Sequence, residues 1–457
     1  MIAELILVEK FLWLAMGIPL VDIGLKFIKS KNKLATSKLG NKKDMGRITG
    51  SDGFILSKHF QLNFKKTLEG VCVIAPTGEG KTTSISLPIL LSNSLPKCSL
   101  VISDPKGEQY KISAEYQRSI GRTPVLFEPL GTEAKYNPLE HCKGFTEVRA
   151  LATNLLQNGE LAIQLASGRS GGSSEWINMA IPLFTSTLLN SKTISEAVKF
   201  LINTPSDELI ITLGNNKNED VKEQFRIFMS SAGSPKTLSS IVSTLLTSLQ
   251  LFTDHQLINS ISNSTFAPTD LRSKPIALYI KYDEAKSNYL SPFLSVFYSQ
   301  LIEKIMYSEG IPVLFLLDEF ANIGRISNFE QIVATGRSRE LGFLICIQNI
   351  VRLYDIYGKN NTVTILNNLK AKCVLPSLSD IEALNYLSSL CGDKEVNTET
   401  ISDSKISHSK TVKKVFTADE IRRIPDDNIL ILAHNKLPFL DNQNIYYQQD
   451  RYTKNIN

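Results

Sequence analysis

The 457-residue chain is predicted to be an α/β protein with a largely parallel sheet, interrupted by an all-helical block. Three features carry that prediction. Short apolar runs bounded by turn residues recur along the chain, at 71–76, 99–104, 124–128, 276–279, 313–317, 343–347, 371–375 and 429–433. They do not alternate with polar residues, as expected of strands covered on both faces. Helix-period segments lie between several of them, and the stretch 142–264 carries helical periodicity alone.

Within that stretch Val148, Leu151, Ala152, Leu155 and Leu156 form one apolar stripe. Leu238, Ile241, Val242, Leu245, Leu246 and Leu249 form a second, with Ser and Thr opposite. A polar Gly/Ser run at 167–174 separates helices inside the block. The predicted organisation is an N-terminal apolar segment at 1–28, an α/β core made of 29–141 and 265–457, and an all-α insertion at 142–264. The Ser/Thr-rich stretch 393–414 reads as an exposed loop or hairpin.

Composition is that of a globular protein: 42% hydrophobic and 21% charged, with a mean hydropathy of −0.04. Six cysteines without a CxxC pair and five scattered histidines argue against a disulfide framework or an imidazole-based metal site. The net charge of +5 is unevenly placed. Between residues 26 and 66 there are eleven Lys or Arg against Asp44 and Asp52, a run suited to a phosphate backbone, an anionic membrane surface or a solvated tail. Residues 11–21 form an uncharged apolar run, shorter than the ~20 residues a membrane-crossing helix needs. It reads as a membrane anchor, or as a buried or interfacial helix; in a bilayer, the lysines after it would hold the bulk of the chain on the cytoplasmic side.

Chemistry concentrates in three places. Ala75-Pro76-Thr77-Gly78-Glu79-Gly80-Lys81-Thr82-Thr83 follows a predicted strand and precedes a helix-like run, the setting of a phosphate-binding loop. Backbone N–H groups of such a loop cradle phosphate oxygens, so Thr77, Gly78, Glu79, Gly80, Lys81, Thr82 and Thr83 are the expected ATP-binding set. Lys81 would reach the β- and γ-phosphates, and the Thr82 hydroxyl would ligate Mg²⁺. Ala75 replaces the first glycine of the usual pattern. Second, the strand Val313–Leu317 closes on Asp318-Glu319: Asp318 is expected to organise Mg²⁺ and Glu319 to polarise the attacking water. Third, Gly336-Arg337-Ser338-Arg339 leads into a strand that ends at Gln348. Gln348 is placed to sense the γ-phosphate or orient water, and Arg337 to stabilise charge on a neighbouring subunit's nucleotide. The catalytic set is thus Lys81, Glu319, Arg337 and Gln348.

Leu317-Asp318-Glu319-Phe320-Ala321-Asn322-Ile323-Gly324-Arg325-Ile326 strongly resembles the extended Walker B run of the TraG/TraD-like coupling proteins of conjugation and type IV secretion. Similar matches are Ala75-Pro76-Thr77, Ser103-Asp104-Pro105-Lys106-Gly107-Glu108, Tyr136-Asn137-Pro138-Leu139, Glu175-Trp176 after a Gly-Gly pair, and Asp419-Glu420-Ile421-Arg422. The resemblance implies a RecA-like P-loop ATPase core with an inserted all-α domain, using ATP and Mg²⁺. It further implies a homo-hexamer at the cytoplasmic face of a bacterial cell membrane. Such a ring binds DNA without sequence specificity, recruits a relaxase, and pumps the strand to a secretion channel. The family commonly carries two membrane helices before this core, where this chain has one short apolar run. Two alternatives remain at the sequence level: a DNA translocase of the FtsK type, and a nucleotide-switched substrate receptor with little hydrolysis.

Overall fold

A computed structural model describes residues 35–168, 174–402 and 405–456. The apolar run at 11–21, the lysines before residue 35 and the Gly171-Gly172 pair lie outside the described residues. Among the described residues no helix is long and apolar enough to cross a membrane.

The eight apolar runs are all strands of one nine-stranded sheet. In chain order these are β1 (Val71–Ile74), β2 (Ser99–Asp104), β3 (Thr123–Phe127), β4 (Ile276–Lys281), β5 (Val313–Leu317), β6 (Leu341–Ile347), β7 (Ala371–Val374) and, after a hairpin, β10 (Asn428–Ala433). The ninth, β11 (Phe439–Asn442), has no apolar run to announce it; it is an edge strand paired antiparallel to β10, with Asp441 and Asn442 in its four residues. Spatial order is β11-β10-β7-β1-β6-β5-β2-β4-β3, parallel from β7 to β3. The expected loop or hairpin is a hairpin, β8 (Asp393–Ser402) against β9 (Lys405–Lys414).

The unbroken apolar runs have a direct cause. Along β1, Val71 and Val73 enter one core and Cys72 and Ile74 the other. In β5, Leu314 and Leu316 join the first, while Val313, Phe315 and Leu317 join the second. Each such side chain is worth about 1.5–3 kcal/mol of burial, so neither face tolerates polar alternation. One face is covered by the short helix after the phosphate-binding loop and by the segment around Phe54, Phe60 and Leu62. The other is covered by the helix Ser287–Met306, whose Phe297 stacks on Phe127 of β3 at 5.0 Å.

Between β3 and β4 the chain is helical, from Phe145–Ser167 through Ser174–Leu189, Ile194–Asn203, Ser206–Gly214, Glu219–Ala232 and Pro235–Ser248 to His255–Ser260. Every residue of the first predicted stripe is buried; in the second, Ile241, Leu245 and Leu249 are buried and the others half-buried. Gly159 lets two of these helices touch: a Cβ there would stand 2.3 Å from the Ser248 carbonyl oxygen. The helical block and the second sheet face share one continuous apolar core. Trp176 is half-buried against that core.

Candidate active site

In a parallel sheet, the carboxyl ends of neighbouring strands place their loops side by side, and binding sites form there. Here β1 stands next to β6, β6 next to β5, and β5 next to β2. The loops after β1, β5, β6 and β2 therefore converge, although Thr82 and Asp318 are 236 residues apart in sequence.

The loop leaves β1 through Ala75, whose N–H donates to the Ile347 carbonyl of β6 at 3.1 Å. Gly78 (φ +88°) and Gly80 (φ +82°) adopt left-handed backbone that side-chain-bearing residues rarely take. No heavy atom would crowd a Cβ at Gly78, so the requirement there is conformational. Residues Thr82–Ser86 form a π-helical turn, followed by the α-helical turn Leu87–Leu90.

Lys81 is 6% exposed, with its ammonium 3.2 Å from the Ala75 carbonyl, 3.0 Å from that of Pro76 and 3.3 Å from Glu319 Oε1. The Thr82 hydroxyl donates to Asp318 Oδ2 at 2.7 Å. Asp318 Oδ1 accepts from the Glu319 N–H at 3.1 Å, and the Asp318 carbonyl accepts from Ser103 Oγ at 3.0 Å. Glu319 has φ +51°, and its Oε2 accepts from Gln348 Nε2 at 2.7 Å. The structure thus brings Lys81, Thr82, Asp318, Glu319 and Gln348 into one constellation.

Its electrostatics ask for a cation. Burial pushes Asp318 above the usual carboxylate range, against the pull of the Thr82 hydroxyl and the Lys81 ammonium. Glu319 is raised by burial first; Lys81 pulls it back, while the adjacent Asp318 charge raises it further. A hard divalent ion fits this oxygen donor set, a hydroxyl beside a carboxylate, and would keep both acids ionised. The cleft they line encloses about 290 Å³ and extends over Gly78, Gly80 and Thr83. Of the remaining loop residues, Thr77 also lines the cleft, and Glu79 occupies the bend between the two glycines.

Arg337 is not brought to this constellation. It precedes β6, whereas Gln348 follows it, and the seven-residue strand separates them by roughly 20 Å. At that opposite end of the sheet Arg337 is 59% exposed and pairs with Glu69 at 2.7 Å. Glu69 also accepts from Lys66 at 2.9 Å and meets His434 Nδ1 at 3.0 Å.

Three contributors have no motif in the sequence that marks their role. Ser103 and Asp104 end β2: Ser103 braces the Asp318 backbone, and Asp104 accepts from the Gln109 and Tyr110 N–H groups at the start of the helix Glu108–Ser119. Only strand order, which places β2 beside β5, reveals this. Tyr447, from the C-terminal segment, lines the cleft and belongs to no motif. The helical block also touches the site's border. Asn158 Oδ1 accepts from the Arg325 N–H at 2.8 Å, and its Nδ2 donates to the Arg325 carbonyl at 3.2 Å, just beyond Asp318-Glu319.

The sequence profile of the type IV secretory system conjugative DNA transfer family matches residues 22–457. A VirD4 protein of Rhizobium radiobacter is 28% identical over 415 residues, covering 84% of this chain and 58% of that protein. A conjugal transfer protein TraG of the same organism is 21% identical, covering 84% of this chain and 63% of that protein. The chain therefore spans about 58% of the length of the VirD4 relative. Among solved structures, the bacterial conjugative coupling protein TrwB without its first 70 residues superposes with a TM-score of 0.71 at 16% identity, covering 92% of this chain and 96% of that one. TrwB in complex with ADP and Mg²⁺ superposes with a TM-score of 0.68 at 15% identity, covering 92% and 96%. These two likenesses establish the fold.

Proposed function

The chain belongs to the type IV secretory system conjugative DNA transfer family, and from that premise we propose that it is an ATP-hydrolysing coupling protein that moves DNA toward a secretion channel. The observation that carries this reading is the convergence of Thr82 with Asp318 and of Lys81 with Glu319 and Gln348.

On this reading the loop backbone and Lys81 hold the triphosphate, and Thr82 with Asp318 hold Mg²⁺. The ion, when bound, neutralises charge on the β- and γ-phosphate oxygens. Glu319 orients the attacking water and takes its proton, and Gln348 fixes the Glu319 carboxylate through the 2.7 Å hydrogen bond. Lys81 moves from its carbonyl partners to the phosphates, a short reach for an ammonium already 3.3 Å from Glu319. Arg337, remote from its own chain's site, serves the nucleotide of a neighbouring subunit in a head-to-tail ring, proposed here as a hexamer. Residues 142–264 act as an inserted all-α domain on the core formed by 29–141 and 265–457. Asn158 ties that domain to the loop after Glu319. The relaxase-bound strand and the channel proteins are the proposed partners, and the cytoplasmic face of the cell membrane the proposed location.

The deciding measurement is phosphate release by the full chain with ATP and Mg²⁺, with and without DNA. Stimulation by DNA of unrelated sequences, abolished in Lys81→Ala, supports the motor. ATP binding without hydrolysis, under either condition, would replace it with a nucleotide-switched receptor.

A further inference from the structure

Phosphate and metal ligands account for the inner part of the cleft; its outer part, lined by Pro105, Lys106, Glu108 and Glu284, also carries one aromatic ring with no role in that chemistry. We propose that Tyr447 is the nucleobase platform of the ATP site, stacking on the purine of a nucleoside triphosphate without distinguishing adenine from guanine; this rests on the nucleotide reading above.

The direction of the bound nucleotide follows from the loop. Lys81, Glu319 and Gln348 mark the γ-phosphate end, toward β5 and β6. The loop N–H groups and the start of the following helix hold the α- and β-phosphates. Sugar and base must then leave the cleft away from Glu319. The C-terminal segment reaches the cleft by crossing over the loop, where a Cβ at Gly80 would stand 3.5 Å from Gln443 Oε1. It departs from β11, at the far edge of the sheet beyond β7 and β10, and its turn Tyr446–Gln448 packs against the π-helical turn Thr82–Ser86. Tyr447 shares the cleft wall with Thr82 and Thr83 on one side and with Glu108 and Gln109, at the start of the helix after β2, on the other, and is its sole aromatic lining residue among the described residues.

The two adjacent tyrosines divide the work. Tyr446 packs against the cluster of Leu87, Leu91 and Tyr452. That cluster is pinned by Asn444 Nδ2 donating to the Tyr452 hydroxyl at 2.7 Å and Asn455 Nδ2 donating to the Leu91 carbonyl at 2.9 Å. Tyr447 is 57% exposed and meets Tyr446 only edge-on, at 5.3 Å between centroids and 84° between planes. An anchored neighbour thus sets the backbone and the edge of the Tyr447 ring, and the cleft lies before it. A stacking ring accepts any purine face. The nearby amide of Gln109 is engaged with Ser86 Oγ and the Ser103 carbonyl, and so does not read base edges.

The test compares binding of ATP, GTP and inorganic tripolyphosphate to the full chain with Mg²⁺. Tyr447→Ala is expected to weaken ATP and GTP by about five- to 150-fold, and to leave tripolyphosphate unchanged. Tyr447→Phe should restore both nucleotides. Emission from Tyr447→Trp should be quenched by ATP and GTP but not by tripolyphosphate. Equal weakening of all three ligands by Tyr447→Ala would make the residue structural and overturn the proposal, as would unchanged ATP affinity. If the wild type binds neither ATP nor tripolyphosphate, or Lys81→Ala alters neither, the nucleotide reading itself fails and the platform with it.

Discussion

Replacing Gln348 by alanine isolates the contact that holds Glu319. The Gln348 amide donates to Glu319 Oε2 at 2.7 Å, and Lys81 stands 3.3 Å from the other oxygen. Alanine removes one hydrogen bond to a charged group, worth about 1.5–3 kcal/mol. If that orientation is needed only while water is being deprotonated, the whole amount appears in kcat, a loss of about 10- to 150-fold. ATP affinity should change little, because Gln348 lies beyond the phosphate-cradling loop. Removal of the base itself, in Glu319→Gln, should cost about 10²- to 10⁴-fold. Because Gln348 acts through Glu319, the double variant should be no slower than Glu319→Gln alone. Steady-state phosphate release for the four proteins closes the cycle, with ATP binding measured alongside. Additive losses in the double variant, or a loss in Gln348→Ala confined to ATP affinity, would refute the arrangement.

Three further outcomes are expected. Asp318→Asn should keep ATP binding but make it nearly indifferent to Mg²⁺, read by titrating nucleotide with and without chelator; an unchanged Mg²⁺ dependence would move the metal elsewhere. Lys81→Ala and Arg337→Ala chains should each be inactive, yet mixing them should recover part of the hydrolysis, since some neighbours then pair an intact Lys81 with an intact Arg337; no recovery on mixing contradicts a role across subunits. Lys372 is 7% exposed and donates to the Leu369 carbonyl at 2.6 Å, and burial lowers its pKa from 10.5 to about 8. Below pH 8 both states carry the proton, and between 8 and 10.5 only the unfolded state does, so stability rises across that window by at most about 3 kcal/mol. Lys372→Met should abolish that alkaline rise in urea unfolding, and an unaltered pH profile would show that Lys372 is not the group responsible.

The strands were legible because burial on both faces leaves no place for polar alternation. Val71–Ile74 and Val313–Leu317 could scarcely be anything else. β11 was not legible: with Asp441 and Asn442 among four residues it resembles a loop, and it is held by pairing with β10 and by Ser57 and His59 on the Asp441 carboxylate. The helical block was readable from its stripes, yet nothing in them foretold that its core would run on into the sheet face. Gln348 is legible from its position after a strand. Ser103 and Tyr447 are not legible, since each acts through a neighbour remote in sequence.

The sequence by itself determined the phosphate-binding loop, the acidic pair and the strands that carry them, since these depend on local order: a glycine-rich turn after an apolar strand, carboxylates at a strand end. Tertiary structure alone decided which strands lie side by side. That order puts Thr82 against Asp318, sends Arg337 to the far end of the sheet, and swings Tyr447 over the cleft. The reason is physical. A strand's apolar pattern specifies that it be buried but not beside which partner, and adjacency is settled by the packing of the whole sheet with its helices.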